Sequence, residues 1–322
     1  MYEAKRSYAG IGTARSLSGG TLKRALLLTS LIVGLAAVSA MFAAVAKADS
    51  VGPITFEPSQ GYVLGGIAGQ QGWMKSGLFD VNVASVALFP AAAGYHFGAQ
   101  ALQLSDAFTS GSFGDQAFSP GLLSPAGESP AKQHFTASFR IGTTQALLQP
   151  GAHFSVSPDN GTGGRMSYLR FVDQFDGVHV YFDDVQQSGP CVPAGCANFV
   201  ETDIATLSRS RAHSIRFSID FKTGPGNDVV KIYIDKKKKI TGTTWEDYYR
   251  YDPEAAGSGN QVPTVSRVLF RESGSPTAAN LGNGFLVDGL TLASSGRHGD
   301  NGDNDNDNDN DNNGDNNDRD NG

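Results

Sequence analysis

The chain has 322 residues, with 25 Lys and Arg against 32 Asp and Glu, and its formal net charge is −7. This mild acidic excess provides no basic surface, which argues against nucleic acid as a partner. Between two unusual ends lie about 245 residues, enough for one large domain to bury its core without disulfide bonds.

Residues 1–48 have the features of an export signal. Five basic residues precede an apolar run over 25–45, and Ala46-Lys47-Ala48 fits the small-x-small pattern of signal peptidase sites. We therefore expect cleavage before Asp49 and a secreted or cell-surface location. The apolar run also matches the roughly 20 residues of a membrane-spanning helix. The alternative is an uncleaved N-terminal anchor, and we expect a membrane partner in that case alone.

Residues 49–296 show the alternation of apolar and polar side chains that is typical of half-buried strands. In "SIRFSIDF" the apolar positions are Ile215, Phe217, Ile219 and Phe221, and "HFTASFRI", "GVHVYFDD" and "VKIYID" repeat the pattern. Further strands are predicted over 54–57, 81–88, 101–105, 167–172, 199–206, 265–271 and 284–292. More than ten short strands between Gly, Pro, Asn and Ser clusters predict an all-β fold, an antiparallel β-sandwich of the jelly-roll kind. One short helix is predicted near 244–252.

Both cysteines of the chain lie in "GPCVPAGC", where two prolines and a glycine favour a tight loop. We expect a disulfide between Cys191 and Cys196 in an oxidising compartment. A loop this short removes only about 2 kcal/mol of chain entropy, so the bond would stiffen a loop rather than hold the domain.

The segment "FVETDIAT" places Glu201 and Asp203 on one face of a predicted strand. A retaining glycosidase uses two carboxyl groups roughly 5 Å apart. No further acid follows on that face, so an exposed polar strand is our main interpretation and a catalytic pair is the alternative. Because the chain also has no HExxH and no GxSxG motif, we expect no catalytic residues and no enzymatic activity.

The segment "GTTWEDYYRYDPE" carries the signals of the short helix. Thr244 and Asp247 have the spacing of a capping box, which predicts Thr244 as the N-cap. Glu246 and Arg250 have the i, i+4 spacing of a helical ion pair. These residues therefore have ordinary structural roles.

The other face of that helix carries the predicted ligand-binding residues, Trp245, Tyr248, Tyr249 and Asp252. Packing of the aromatic rings onto the sandwich is one interpretation. The other is a sugar-binding surface, because amphipathic rings stack on ligands while their polar atoms form hydrogen bonds.

From residue 297 onward the chain is made almost entirely of Asp, Asn and Gly. We expect this acidic tail, 297–322, to be disordered because it has no apolar side chains to bury. It contains a near match to a calcium-binding loop, with predicted metal ligands Asp309, Asp311, Asn313 and Asp320. Such a match arises easily in a tract of this composition, so we expect weak calcium association.

The strand segments quoted above, with the closing "GNGFLVDGLTL", resemble the concanavalin A-like lectin/glucanase superfamily, and within it the laminin-G-like domains of secreted bacterial proteins. The resemblance spans roughly residues 51–293. It implies a β-sandwich, and in the lectin branches acidic loop ligands for calcium, here Asp183, Asp184 and Asp228. The glycosidase branch has E-x-D-x-x-E or E-x-D-x-E on one strand, and this chain departs from it at the final Glu.

We expect a secreted, non-catalytic β-sandwich that binds an extracellular polysaccharide, a glycan or another extracellular ligand, with calcium as the cofactor left open. One alternative is a structural envelope or matrix protein, whose acidic tail tunes solubility or calcium-dependent association. The other is a glycoside hydrolase or polysaccharide lyase that uses Glu201 and Asp203.

Overall fold

The computed structural model describes residues 48–110, 115–186, 197–252, 264–272 and 275–296. All of them belong to the second of the two units into which the chain divides, Ala44–Gly322. The elements of this unit are β1 (Asp49–Ile54), β2 (Gly65–Gly66), β3 (Met74–Ser76), β4 (Asp80–Ser85), β5 (Gln100–Ser105), β6 (Gln116–Phe118), β7 (Ala126–Gly127), β8 (His134–Thr143), β9 (His153–Asp159), β10 (Tyr168–Gln174), β11 (Gly177–Val185), β12 (Phe199–Leu207), β13 (His213–Asp220), β14 (Val229–Ile234), β15 (Lys237–Gly242), α1 (Glu246–Tyr251), β16 (Thr264–Val265), β17 (Arg267–Arg271) and β18 (Phe285–Ser295).

Two large antiparallel sheets make up the fold. The nine-stranded sheet has the order β15-β14-β13-β8-β18-β5-β4-β2, and β1 also pairs with β18. The seven-stranded sheet has the order β12-β11-β10-β9-β17-β6-β3, while β7 and β16 form a small separate pair. The predicted all-β antiparallel sandwich is therefore confirmed, and the short helix near 244–252 is present as α1.

The two sheets face each other across an aromatic core. The ring centroid of Phe139, on the nine-stranded sheet, lies 6.5 Å from that of Phe171 and 6.2 Å from that of Phe270. Phe171 and Phe270 both lie on the seven-stranded sheet. Phe154 stacks on Phe171 at 4.9 Å, and Phe285 of the opposite sheet lies 5.0 Å from Phe154. These five rings are all buried, so the alternating pattern in the sequence does turn the apolar side chains inward.

The predicted strands differ from the observed ones mainly at the ends and edges. The strand predicted over 54–57 is wrong, because β1 ends at Ile54 and Phe56 has a φ of 59°. The strand predicted over 81–88 ends at Ser85, where a 3-10 turn begins. Strand β9 was not predicted, although "HFSVSPD" alternates polar and apolar residues, and nearly all of its side chains on both faces are buried.

Candidate functional site

A polar surface covers the outer side of the seven-stranded sheet where β10, β11 and β12 lie side by side. The register pairs Arg170 with Tyr181, and Asp183 with Glu201. Their sequence neighbours, such as Leu169 and Phe182, point into the core. We use the name β10–β12 face for the outward side chains of these strands, which are Arg170, His179, Tyr181, Asp183, Glu201 and Asp203.

Arg170 and Glu201 form the central ion pair of this face. Nη2 of Arg170 lies 2.6 Å from each carboxylate oxygen of Glu201, and Nε lies 3.1 Å from Oε2. The guanidinium carbon is 4.6 Å from the ring centroid of Tyr181, on the strand between them. A planar guanidinium suits this combination of bidentate binding and stacking better than an ammonium group would.

Asp183 is a second carboxyl group beside Glu201 on the neighbouring strand. Burial raises the pKa of Asp183 to about 6, the negative charge of Glu201 adds to the increase, and Arg170 opposes it. Two adjacent carboxyl groups therefore have unlike environments, since Glu201 is ion-paired with Arg170 and Asp183 is half-buried. Such a difference in environment allows one carboxyl group of a pair to be protonated while the other is ionised.

Asp203 has a hydrogen-bond partner of its own, His179. Its Oδ2 lies 2.6 Å from Nδ1 of His179, while Nε2 of the same ring lies 2.8 Å from Asp176. Hydrogen bonds to Asp203 and Asp176 raise the pKa of His179, because both carboxylates stabilise the charged ring. Glu201 and Asp203 thus share a face, as expected, but Glu201 binds Arg170 and Asp203 binds His179.

Helix α1 begins differently from the predicted capping box. The N-cap is Trp245, and no side chain caps the helix. The hydroxyl of Thr244 instead donates to Oδ2 of Asp228 at 2.9 Å, and the prediction that Thr244 is the N-cap is wrong. The predicted i, i+4 ion pair is confirmed, with 3.2 Å between Nε of Arg250 and Oε2 of Glu246.

Most of the predicted ligand-binding residues of this segment are buried. Trp245 is 7% exposed, Tyr249 is 6% exposed and Asp252 is fully buried. The indole stacks on Tyr168 at 5.8 Å between ring centroids, and its Nε1 donates to the carbonyl oxygen of Asp183 at 3.0 Å. Oδ2 of Asp252 accepts from the backbone N–H of Ala197. These contacts are those of a helix packed onto the sheet.

Tyr248 of this segment and Phe199 of β12 form an aromatic edge at the surface. Tyr248 is half-buried, and Phe199 is 43% exposed. Their ring centroids lie 5.3 Å apart, and Phe199 also meets the edge of Trp245 at 4.9 Å. Since Phe199 and Glu201 lie on the same side of β12, the aromatic edge adjoins the polar groups of the β10–β12 face.

The structure thus brings together the two sequence segments that were predicted separately. Sequence reasoning missed Arg170, Tyr181 and Phe199 as members of this surface. The signal was present in the alternation of "YLRFVD" and "GVHVYFDD", which turns polar side chains outward between buried ones. The ligand-binding role of the aromatic segment stays a prediction, and its accessible part is the Tyr248–Phe199 edge.

The three aspartates that the resemblance suggested for calcium do not converge on one position within the described part of the chain. Oδ1 of Asp184 accepts from the N–H and the hydroxyl of Thr243 at 2.9 and 2.7 Å. Asp228 is buried and accepts from the N–H of Lys222 at 2.7 Å. A role for calcium stays a prediction.

Several predictions concern residues outside the described ranges. These are the export signal 1–48, of which only residue 48 is described, the disulfide between Cys191 and Cys196, and the acidic tail 297–322 with Asp309, Asp311, Asn313 and Asp320. Among the described residues, no helix is long and apolar enough to cross a membrane.

No protein-family model matches the chain, and no curated protein matches it either. Solved structures that are similar include a carbohydrate esterase from Shiga toxin-encoding bacteriophage phi24B, with 13% identity over 70% of this chain and 91% of that one, at a TM-score of 0.41. An endo-1,3-beta-glucanase from Streptomyces sioyaensis has 14% identity over 71% of this chain and 99% of that one, at a TM-score of 0.35. This chain covers 19% of the length of a sialidase, at 11% identity and a TM-score of 0.36. Likenesses this distant assign neither a family nor an activity.

Proposed function

We propose that the domain is a secreted, non-catalytic carbohydrate-binding β-sandwich of the concanavalin A-like kind, and that the β10–β12 face with its aromatic edge binds the glycan. The observation that carries this proposal is the adjacency of an exposed aromatic ring, Phe199, to the ion pair of Arg170 and Glu201. Aromatic faces bury the apolar side of a sugar ring, while charged groups form the strong hydrogen bonds that hydroxyl groups need.

The chemistry of the face suits a glycan that is uncharged or that contains both charged and uncharged sugars. Carboxylates of Glu201, Asp183 and Asp203 accept hydrogen bonds from sugar hydroxyls, and the guanidinium of Arg170 donates to ring or hydroxyl oxygens. Because the ion pair fixes Arg170 and Glu201 before a ligand arrives, little side-chain entropy remains to be lost on binding.

The test is binding of the full chain to laminarin, xylan, alginate and agar by affinity electrophoresis, together with a glycan array, each with calcium and with EDTA. We expect Phe199→Ala to weaken binding by roughly 5- to 10-fold, the typical worth of one aromatic contact. Phe175→Ala is the matched control, since Phe175 is 90% exposed in the turn between β10 and β11. No retention on any glycan in either condition, or equal retention of both variants, would refute the proposal.

A second function is favoured by the raised pKa of Asp183 beside Glu201. In a retaining glycosidase, a protonated carboxyl donates its proton to the leaving oxygen while an ionised carboxylate attacks the sugar carbon. Asp183 would be the acid and Glu201 the nucleophile, and Asp203, which binds His179, would take no part. Reducing-sugar release that is lost in Glu201→Gln and Asp183→Asn but kept in Asp203→Asn would establish hydrolysis, and no release from the four polysaccharides would exclude it for them.

A further inference from the structure

Three side chains with metal-binding groups meet at one end of the sandwich, away from the β12 edge. Asp106 follows β5 of the nine-stranded sheet, Glu272 follows β17 of the seven-stranded sheet, and His153 is the first residue of β9. One donor atom from each of them lies within 4.8 Å of the others. Because β9 and β17 pair in antiparallel register, the start of one and the end of the other are adjacent.

The imidazole of His153 is oriented in the way that metal-binding histidines usually are. Its Nδ1 lies 2.9 Å from the carbonyl oxygen of Gly151, which can only accept a hydrogen bond, so Nδ1 carries the proton. Nε2 then faces Oε1 of Glu272 at 2.8 Å. An unprotonated Nε2 would repel a carboxylate oxygen at this distance, so Nε2 either donates a second ring proton to Glu272 or binds a metal ion together with it.

Asp106 supplies the independent observation that points to a ligand. Its side chain is 1% exposed, and its Oδ1 accepts from Nδ2 of Asn280 at 2.9 Å. Its Oδ2 is buried and accepts no hydrogen bond from any described residue, although it lies 3.7 Å from Nδ1 of His153. A buried carboxylate oxygen without a partner is costly, and a bound cation removes that cost.

We propose that Asp106, His153 and Glu272 bind one divalent transition-metal ion. The ligands would be Nε2 of His153 and one carboxylate oxygen from each acid. One imidazole nitrogen with two carboxylate oxygens suits Zn²⁺ or Mn²⁺, whereas Ca²⁺ prefers oxygen ligands alone. The three protein ligands leave at least one coordination position for water, and the His153 side chain, 21% exposed, provides access from solvent.

The matched control is a second histidine with two carboxylate partners. His179 binds Asp203 through Nδ1 and Asp176 through Nε2. Among the described residues, these three groups do not form a set whose donor atoms all lie within 4.8 Å of one another, as those of Asp106, His153 and Glu272 do. His179→Ala therefore removes an equivalent histidine without touching the proposed site, and it keeps Cys191, Cys196 and the acidic tail, which could bind ions on their own.

The experiment is calorimetric titration of the EDTA-dialysed full chain with ZnCl₂, MnCl₂ and CaCl₂, with bound metal counted by mass spectrometry. We expect one zinc site in the wild type and in His179→Ala. Even outer-shell changes lower metal affinity about 10- to 100-fold, so Asp106→Asn and His153→Ala should lower it by at least about 100-fold. In the wild type, the NMR resonance of one histidine Nε2 should shift when zinc is added. This measurement does not depend on whether a variant folds.

Two results would overturn the proposal. One is the absence of a zinc site in the wild type, which would mean that the proton between His153 and Glu272 is the cation of this cluster. The other is equal zinc affinity in the wild type, Asp106→Asn and His153→Ala, which would place the ion elsewhere. Neither result bears on glycan binding by the β10–β12 face, which shares none of the three ligands.

Discussion

Arg170 binds Glu201 across an intervening strand. Its Nη2 lies 2.6 Å from Oε1 of Glu201, and its guanidinium rests on the ring of Tyr181, 4.6 Å from the centroid. The three side chains come from β10, β11 and β12 in turn. Stacking therefore holds the ion pair in place, and the ion pair fixes a carboxylate in the middle of the proposed glycan-binding face.

Replacing Arg170 by Ala should weaken glycan binding much more than it weakens the fold. Glu201 would lose the partner that positions it, so we expect at least about 10-fold weaker retention on the preferred polysaccharide. Both side chains are partly exposed, so the free energy of unfolding should fall by less than about 1 kcal/mol.

Arg216→Ala is the matched control for this prediction. Arg216 lies over Tyr233 at 3.8 Å from the ring centroid, and both residues belong to the nine-stranded sheet. Affinity electrophoresis and urea unfolding of the two variants separate the effects. Equal retention of Arg170→Ala and Arg216→Ala would mean that glycan binds elsewhere or not at all.

Trp245→Ala should destabilise the domain by about 3 to 5 kcal/mol, as large-to-small changes of buried aromatics do. The indole is 7% exposed and packs against Tyr168 and Phe199. Trp245→Phe keeps a ring but removes the donor to the Asp183 carbonyl, so a loss of about 1 to 3 kcal/mol is expected. Urea unfolding followed by circular dichroism measures both. If Trp245→Ala is as stable as Phe175→Ala, then the indole does not belong to the core.

Asp228→Asn should stabilise the domain at alkaline pH. Burial raises the pKa of Asp228 from its ordinary 3.8 to about 7, and the nearby carboxylate of Glu246 adds to the increase. The folded state then binds a proton more tightly than the unfolded state, so stability is lost as pH rises from about 4 to about 7. Above that window the penalty is complete, up to about 4 kcal/mol. An amide keeps the acceptor for the Lys222 N–H without the charge.

Melting temperatures at pH 5 and pH 8 test this prediction. The variant should exceed the wild type at pH 8, and the difference should shrink towards pH 5. Asp184→Asn is a suitable control, since Asp184 is half-buried and accepts two hydrogen bonds from Thr243. A difference that is the same at both pH values would show that the charge of Asp228 is not its cause.

Much of the sandwich could be predicted from local sequence. Alternation in "SIRFSIDF" and "HFTASFRI" identifies buried positions such as Phe217 and Phe139, because a strand turns successive side chains to opposite faces. The same rule placed Glu201 and Asp203 on one side of β12. Strand β9 was missed although Phe154 and Val156 alternate with Ser155 and Ser157, and its short run contains Pro158, a residue that counts against a strand.

The composition of the site could not be predicted in the same way. The ion pair of Arg170 and Glu201 joins residues 31 positions apart, and it depends on the register of three strands. Asp106, His153 and Glu272 are far apart in the sequence, and the order of the strands in the two sheets brings them together. Trp245 is buried because of the position at which α1 packs on the sheet. Neither the spacing nor the composition of residues 242–254 predicts that position.

Glycan binding should weaken as pH falls through about 6. The pKa of Asp183 is raised to about 6, chiefly by burial and then by the charge of Glu201, while Arg170 lowers it. Above this value Asp183 is an ionised acceptor for sugar hydroxyls, and below it the carboxyl is neutral and a weaker acceptor. We expect a several-fold lower affinity at pH 5 than at pH 7.5. Asp183→Asn, which has no charge to lose, should bind equally at both. If the variant retains the pH dependence of the wild type, the titrating group is another one. His179, whose pKa is raised by its hydrogen bonds to Asp203 and Asp176, is then the next residue to replace.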